Sequence, residues 1–159
     1  MTVLALNKRA SYDYEFLEKF TAGLVLTGAE VKSAKNGSTN LKGSFVVFRG
    51  RDGKSPEAYL INAYIGAYRC AVNKESYEPE RARKLLLRRR EISHLVGKQQ
   101  EKGLTLVPIK LYTERSLVKL EFAIARGKKL YDKRQTIKER ALKRQLSSIK
   151  QSGYLADRS

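Results

Sequence analysis

From Val118 to Ile124 the chain alternates strictly: Val118, Leu120, Phe122 and Ile124 fall on one side, Lys119, Glu121 and Ala123 on the other. A repeat of two is the period of a pleated strand with one buried face, and a helix would scatter the same four apolar residues around its axis. The pattern commits this stretch to a half-buried sheet. It also ends abruptly, because nothing after residue 127 repeats it.

Other segments read as partners for that strand. Tyr12, Tyr14 and Phe16 alternate with Asp13 and Glu15, and the alternation resumes at Leu24 and Leu26, which predicts a long strand bent at Gly23. Ser44–Phe48 and Tyr59–Ile61 read as hairpin strands around the Arg51-Asp52-Gly53-Lys54 reversal. Leu104–Tyr112 reads as a further strand, with Pro108 demanding an edge or a bulge because it lacks an N–H. Two helices interrupt these strands. Thr27 followed by Glu30 forms the signature of a capping box for a helix over 30–35, ended by Asn36-Gly37. Between Glu78 and Gly97, Leu85, Ile92, Leu95 and Val96 share one helical face. The fold class expected is mainly β: an oligonucleotide-binding (OB)-type closed antiparallel β-barrel with two or three helices and a basic C-terminal tail. The barrel is expected over 1–126 and the tail over 127–159.

Charge narrows the function. Lys and Arg total 33 against 16 Asp and Glu in 159 residues, a net of +17. That single-sign excess suits a polyanion, nucleic acid first, far better than a small neutral substrate. Eleven basic and three acidic residues lie between Arg126 and Ser159, a net of +8 with too little apolar material for a core. Asp132 with Gln135 offers a helix cap, and Leu142, Leu146 and Ile149 form a stripe three residues wide, marginal for a helix alone in water. The tail therefore reads as disordered in isolation and helical once phosphates neutralise its cations.

A second basic cluster, RARKLLLRRRE, sets Arg81, Arg83, Lys84, Arg88, Arg89 and Arg90 within ten positions, with Leu85 and Leu86 as anchors and guanidinium groups suited to phosphate oxygens. Nine Tyr and five Phe fit mostly the strand faces of a barrel, while Tyr131, among Lys128, Lys129, Lys133 and Arg134, reads as a ring free to stack on a base. Catalytic residues are not expected. His94 stands alone on a helix flank, Cys70 is a single cysteine read as buried or half-buried, and the sequence contains no Cys-x-x-Cys, no phosphate loop and no carboxylate cluster. No cofactor and no metal are expected. The short VLAL run near the start is too brief for a signal-peptide core, so a cytoplasmic protein without membrane contact is expected.

Taken in order, Asn7-Lys8-Arg9-Ala10, Ala22-Gly23-Leu24, Glu30-Val31-Lys32-Ser33, Asn40-Leu41, Arg83-Lys84-Leu85-Leu86-Leu87, Arg90-Glu91-Ile92, Gly127-Lys128-Lys129, Asp132-Lys133-Arg134 and Ile137-Lys138-Glu139-Arg140 resemble the SsrA-binding protein family, small protein B, of bacterial trans-translation. The resemblance implies a monomeric, non-enzymatic adaptor with two partners: the tRNA-like domain of transfer-messenger RNA, and the ribosome, especially small-subunit rRNA at the decoding centre. It implies RNA contacts by Asn7, Lys8, Arg9, Thr21, Lys32, Arg81, Arg83, Lys84, Leu86, Arg88 and Arg89. It also implies that Gly127, Lys128, Lys129, Tyr131, Asp132, Lys133, Arg134, Lys138 and Arg140 meet the decoding centre and the vacant mRNA channel. The sequence departs from the family pattern at Tyr12, commonly His, at Thr21, commonly Glu, and at Arg88, commonly His or Asn. Ser76-Tyr77-Glu78-Pro79 replaces a more usual Asn-His-Asp-Pro. A general structured-RNA-binding protein without that specificity is the alternative reading.

Overall fold

The computed structural model describes residues 1–50, 55–72, 74–128 and 130–156, the backbone alone for 130–132 and 149–156. In chain order the elements are β1 (Thr2–Leu6), α1 (Ala10–Asp13), β2 (Tyr14–Leu24), α2 (Gly28–Lys35), β3 (Thr39–Asn40), β4 (Phe45–Arg49), β5 (Glu57–Ile61), β6 (Tyr64–Ile65), β7 (Arg83–Leu86), α3 (Arg89–Gln99), β8 (Leu104–Glu114), β9 (Leu117–Gly127) and α4 (Leu130–Ala156). They fall into two compact units, Met1–Gly127 and Lys128–Ser159.

In the first unit seven strands form one antiparallel sheet in the order β1-β8-β9-β2-β7-β5-β4, and β3 pairs with β6. The sheet curls far enough to bring β4 alongside β8. Among the described residues no ladder joins the edge strands β1 and β4, so the closure expected of a barrel is not made by hydrogen bonds. The alternating residues of β9 do fill the interior: Leu120, Phe122 and Ile124 are buried against Leu60, Leu85, Leu106 and Leu111, and α3 inserts Leu95. Ala123 and Ala125, on the opposite face, are buried as well, because Ala10 of α1 and Val107 form a second small cluster over Ala125. Among the described aromatics only Phe122 and Tyr112 are buried, Phe122 fully, since Leu, Ile and Val fill the interior and the other rings sit at its margin.

Pro108 makes a bulge. It lies in β8, an inner strand, and the register against β9 slips between Pro108 and Lys110. The capping box of α2 forms as expected: Thr27 Oγ1 accepts from the Glu30 amide at 3.2 Å and Glu30 Oε2 accepts from the Thr27 amide at 3.0 Å. The hairpin pairing of β4 with β5 also forms, while the Arg51–Lys54 reversal lies outside the described residues.

Three expectations are corrected. Tyr12 belongs to the single turn α1, where Arg9 pairs with Asp13 at 3.2 Å, and the strand starts only at Tyr14. The helix expected from Glu78 is a strand first. Arg83 and Leu85 point inward and Lys84 and Leu86 outward, a period of two that three consecutive leucines had masked, and α3 begins at Arg89. Cys70 is exposed rather than buried. The short strand β1 carried too few residues to show a period of its own.

In the second unit α4 begins at Leu130, ahead of the cap expected at Asp132. Lys128 Nζ donates to Thr136 Oγ1 at 2.7 Å across its first turns. Ile137, Leu142 and Leu146 are exposed, and the stripe's third member, Ile149, has no described side chain.

Candidate nucleic-acid interface

The outward face of β7 and the start of α3 form the floor and wall of a groove of about 830 Å³ lined by Thr21, Lys84, Leu86, Arg88 and Lys119, among others. Strand register builds it. Gly23 of β2 faces Leu86 of β7 on one side and Lys119 of β9 on the other, so an apolar side chain and a cation stand in one row with a bare backbone between them. Leu86 is 57 % exposed and lies over Gly23, so its outer edge is open to a partner. Lys84 donates to Glu57 Oε1 at 3.0 Å, an exposed pair that a phosphate can replace at small cost. Arg88 is exposed at the helix entrance, its amide donating to Glu91 Oε2 at 2.9 Å, and Arg89 is exposed beside it. An exposed leucine rimmed by cations gives an RNA both a surface for a base or sugar and donors for phosphate oxygens.

The structure divides the remaining expected contacts. Lys8 and Arg9 are exposed near α1, where Arg9 and Lys42 line a smaller cleft of about 190 Å³. Lys32 is exposed on α2 and sits over the Tyr68 ring at 5.5 Å. Asn7 is turned inward: its Nδ2 donates to the Pro108 carbonyl at 3.0 Å and its Oδ1 accepts from the Ala10 amide at 3.3 Å, tying the end of β1 to the bulge and to α1.

Arg83 is the main correction. It is 0 % exposed and its guanidinium is held by Glu30, Ala63 and Pro79, so it is not placed to meet a phosphate. Arg81 is only partly exposed and gives Nε and Nη2 to the same carboxylate, at 2.7 and 2.5 Å. Burial pushes the Glu30 carboxyl up, but the hydrogen bond from Arg81, that from the Thr27 amide and the nearby arginine charges outweigh it and hold the group below the usual carboxylate range. Arg81 is raised in turn by its bond to Glu30, and burial followed by the Glu30 charge raises the Tyr77 hydroxyl. The position expected for His94 holds: it is exposed on α3 with Nε2 3.0 Å from Glu18 Oε2.

In the second unit Arg134, Lys138 and Arg140 are exposed and Lys133 is half-buried. Lys129 and the side chains of Tyr131 and Asp132 lie outside the described residues. Sequence reasoning did not single out Lys119, although its place in the period-two pattern already turned it away from the core. It also passed over Tyr68, which carried no local signal, and met Tyr77 only as a departure from the family pattern. Among the described residues no group of three His, Cys, Asp or Glu side chains is placed to hold a metal ion, and no helix is long and apolar enough to cross a membrane.

The family model described as "SmpB protein" matches residues 4–152. The SsrA-binding protein of Sulfurihydrogenibium sp. (strain YO3AOP1) is 49 % identical over 144 residues, covering 91 % of each chain. That of Persephonella marina is 50 % identical over 145 residues, again 91 % of each, and that of Acaryochloris marina is 44 % identical over 151 residues, 95 % of each. A solved structure described as "tmRNA-SmpB: a journey to the center of the bacterial ribosome" is similar at a TM-score of 0.64 and 45 % identity, covering 82 % of this chain and 87 % of the other.

Proposed function

The chain belongs to the SmpB protein family, and on that premise we propose that it is the RNA-binding adaptor of trans-translation: it binds the tRNA-like domain of transfer-messenger RNA, brings that RNA to stalled ribosomes and stands in for the anticodon arm the RNA lacks. The observation that carries the reading to individual residues is the groove in which β2, β7, β9 and α3 bring Thr21, Lys84, Leu86, Arg88 and Lys119 together. Phosphates take the cations, the exposed leucine takes an apolar edge, and shape rather than base reading supplies specificity. Lys8, Arg9, Lys32 and Arg89 extend the cationic surface, while Asn7, Arg81 and Arg83 serve the interface from within.

The curled seven-stranded sheet serves as an oligonucleotide-binding-type barrel over 1–126, partly open. The segment 127–159 is the ribosome-directed part, disordered when free and helical in the mRNA channel. Gly127, Lys128, Lys129, Tyr131, Asp132, Lys133, Arg134, Lys138 and Arg140 meet small-subunit rRNA at the decoding centre and beyond it. The adaptor acts in the cytoplasm as a monomer and catalyses no reaction.

The test is a competition titration at fixed near-physiological salt, with the tRNA-like domain set against an ordinary tRNA and an unstructured RNA of equal length. Preference for the first by two orders of magnitude is expected. Equal binding to all three would reduce the protein to a general RNA-binding module.

A further inference from the structure

Among the described residues Glu30 is the most connected buried charge of the first unit, and RNA binding through the groove makes no use of it. At 1 % exposure it receives Nε and Nη2 of Arg81 and, at 3.1 Å, Nε of Arg83. Arg83 then donates Nη1 to the Ala63 carbonyl at 2.7 Å and Nη2 to the Pro79 carbonyl at 2.9 Å. The Tyr77 hydroxyl donates to the Ile65 carbonyl at 2.7 Å, and the Ile65 amide to the Pro79 carbonyl at 3.0 Å. One turn along α2, Ser33 Oγ donates to the Gly66 carbonyl at 2.5 Å. One carboxylate and one helix thus fasten two separate stretches, 63–66 and 77–83.

Such an arrangement is a poor way to gain stability. One carboxylate faces two guanidinium groups, and apolar side chains of similar volume commonly fold as well as a buried ionic cluster or better. What the network does supply is position. Immediately beyond the first fastened stretch, Tyr68 is half-buried beneath the Lys32 ammonium and Arg69 is exposed. Among the described residues neither Lys32 nor Arg69 is within ion-pair distance of a carboxylate. One cation lies over an aromatic ring and a second lines a cleft with that ring, and phosphate oxygens and a stacked base match that set.

We propose that Glu30 is a positioning residue for RNA binding: by pinning 63–66 and 77–83 to α2 it sets Tyr68 and Arg69 beside Lys32 as a second contact for the RNA, distinct from the Lys84–Arg88 groove. The proposal rests on the RNA-binding reading above.

The test uses the full chain and the tRNA-like domain at fixed salt. Glu30→Gln adds one unit of positive charge, which by charge alone would tighten binding to a polyanion. Positioning predicts the opposite sign. Affinity falls at least fivefold, the plot of log affinity against log salt becomes shallower by about 1–2, as two lost phosphate contacts require, and amides of 63–72 and 77–83 exchange at least tenfold faster while those of β8 and β9 do not. Tyr77→Phe, which keeps the ring and removes only the hydroxyl, gives the same changes about twofold in size and decides the matter if Glu30→Gln fails to fold. Arg69→Ala lowers affinity and slope without altering exchange. Leu106→Ala, a core truncation, lowers the Tm and leaves affinity where it was. Unchanged exchange in both Glu30→Gln and Tyr77→Phe would overturn the proposal, and so would faster exchange with wild-type affinity and slope. Failure of the adaptor reading shows instead in the wild type, as equal binding of the tRNA-like domain and an ordinary tRNA. The variants still judge the positioning role by their loss of affinity relative to the wild type.

Discussion

Arg83 and Arg88 stand five positions apart in one basic run and meet opposite surroundings. Arg83 is fully enclosed, its charge answered by Glu30 and its remaining donors by main-chain carbonyls. Arg88 stands at the rim of the groove, exposed. Nothing in residue type separates them. The pleat of β7 does, because it sends 83 and 85 inward and 84 and 86 outward before the chain turns into α3. A basic cluster in a sequence is therefore two populations, one that binds the protein to itself and one left for a partner, and the local period decides membership.

Substitutions break that comparison at its two ends. Arg83→Met is expected to have the largest effect: it leaves Glu30 short of a buried partner and takes from the Ala63 carbonyl its guanidinium donor, costing about 3–5 kcal/mol, read as a lowered urea midpoint. The combined Lys84→Ala and Arg88→Ala change leaves that midpoint unmoved. It weakens binding to the tRNA-like domain roughly tenfold and makes the salt dependence shallower by about 2. A lowered midpoint in the Lys84 and Arg88 variant would erase the division. Thr27→Ala sharpens it on the side of the enclosed network: it removes the cap on the Glu30 amide and is expected to cost about 1 kcal/mol, visible in thermal unfolding.

Acid gives the smallest effect, with a definite sign. The folded-state carboxyl of Glu30 lies below its ordinary value of 4.5, so its contribution to stability is complete at neutral pH. That contribution begins to fade as pH falls past the ordinary value and is gone below the folded-state value. The stability gap between the wild type and Glu30→Gln, measured by urea denaturation, narrows over that window and is flat above it. A gap that widened in acid would show that Glu30 is not held as an ion.

Where one face is buried and the other wet, the sequence is legible. The alternation of β9, the capping box of α2 and the need for a bulge at Pro108 all follow from single-residue chemistry. Where three leucines run together, as at 85–87, the period is masked, and the segment reads as a helix that in fact begins only at Arg89. Lys84, Leu86 and Arg88, read as part of one helix, lie exposed on β7 and at the entrance of α3. Asn7, Arg81 and Arg83 are engaged by the protein itself in a way no local pattern shows, because each is a polar side chain whose partners come from segments far along the chain. Glu30 was hidden by its own adequacy: its place in the capping box explained its identity and left no residue unaccounted for to suggest the second task.

The pairing pattern also sets a timetable. Thr2 faces Thr113, and Tyr14 faces Gly127, so the long central strand β2 and the outer strand β1 each find β9 or β8 only after about a hundred further residues exist. At roughly 5–20 residues per second that wait is on the order of ten seconds of synthesis. During it Phe16, Phe20 and Leu24 belong to a strand without its main neighbour. The β2–β9 and β1–β8 ladders must then form late, when the segment 104–127 clears the ribosomal tunnel, whereas the β4–β5 and β5–β7 ladders lie within residues 45–86 and can pair earlier; completion of the sheet is governed by long-range closure. A nascent chain halted before that segment leaves β1 without a ladder and β2 paired only at its β7 end, so it is not a smaller version of the domain.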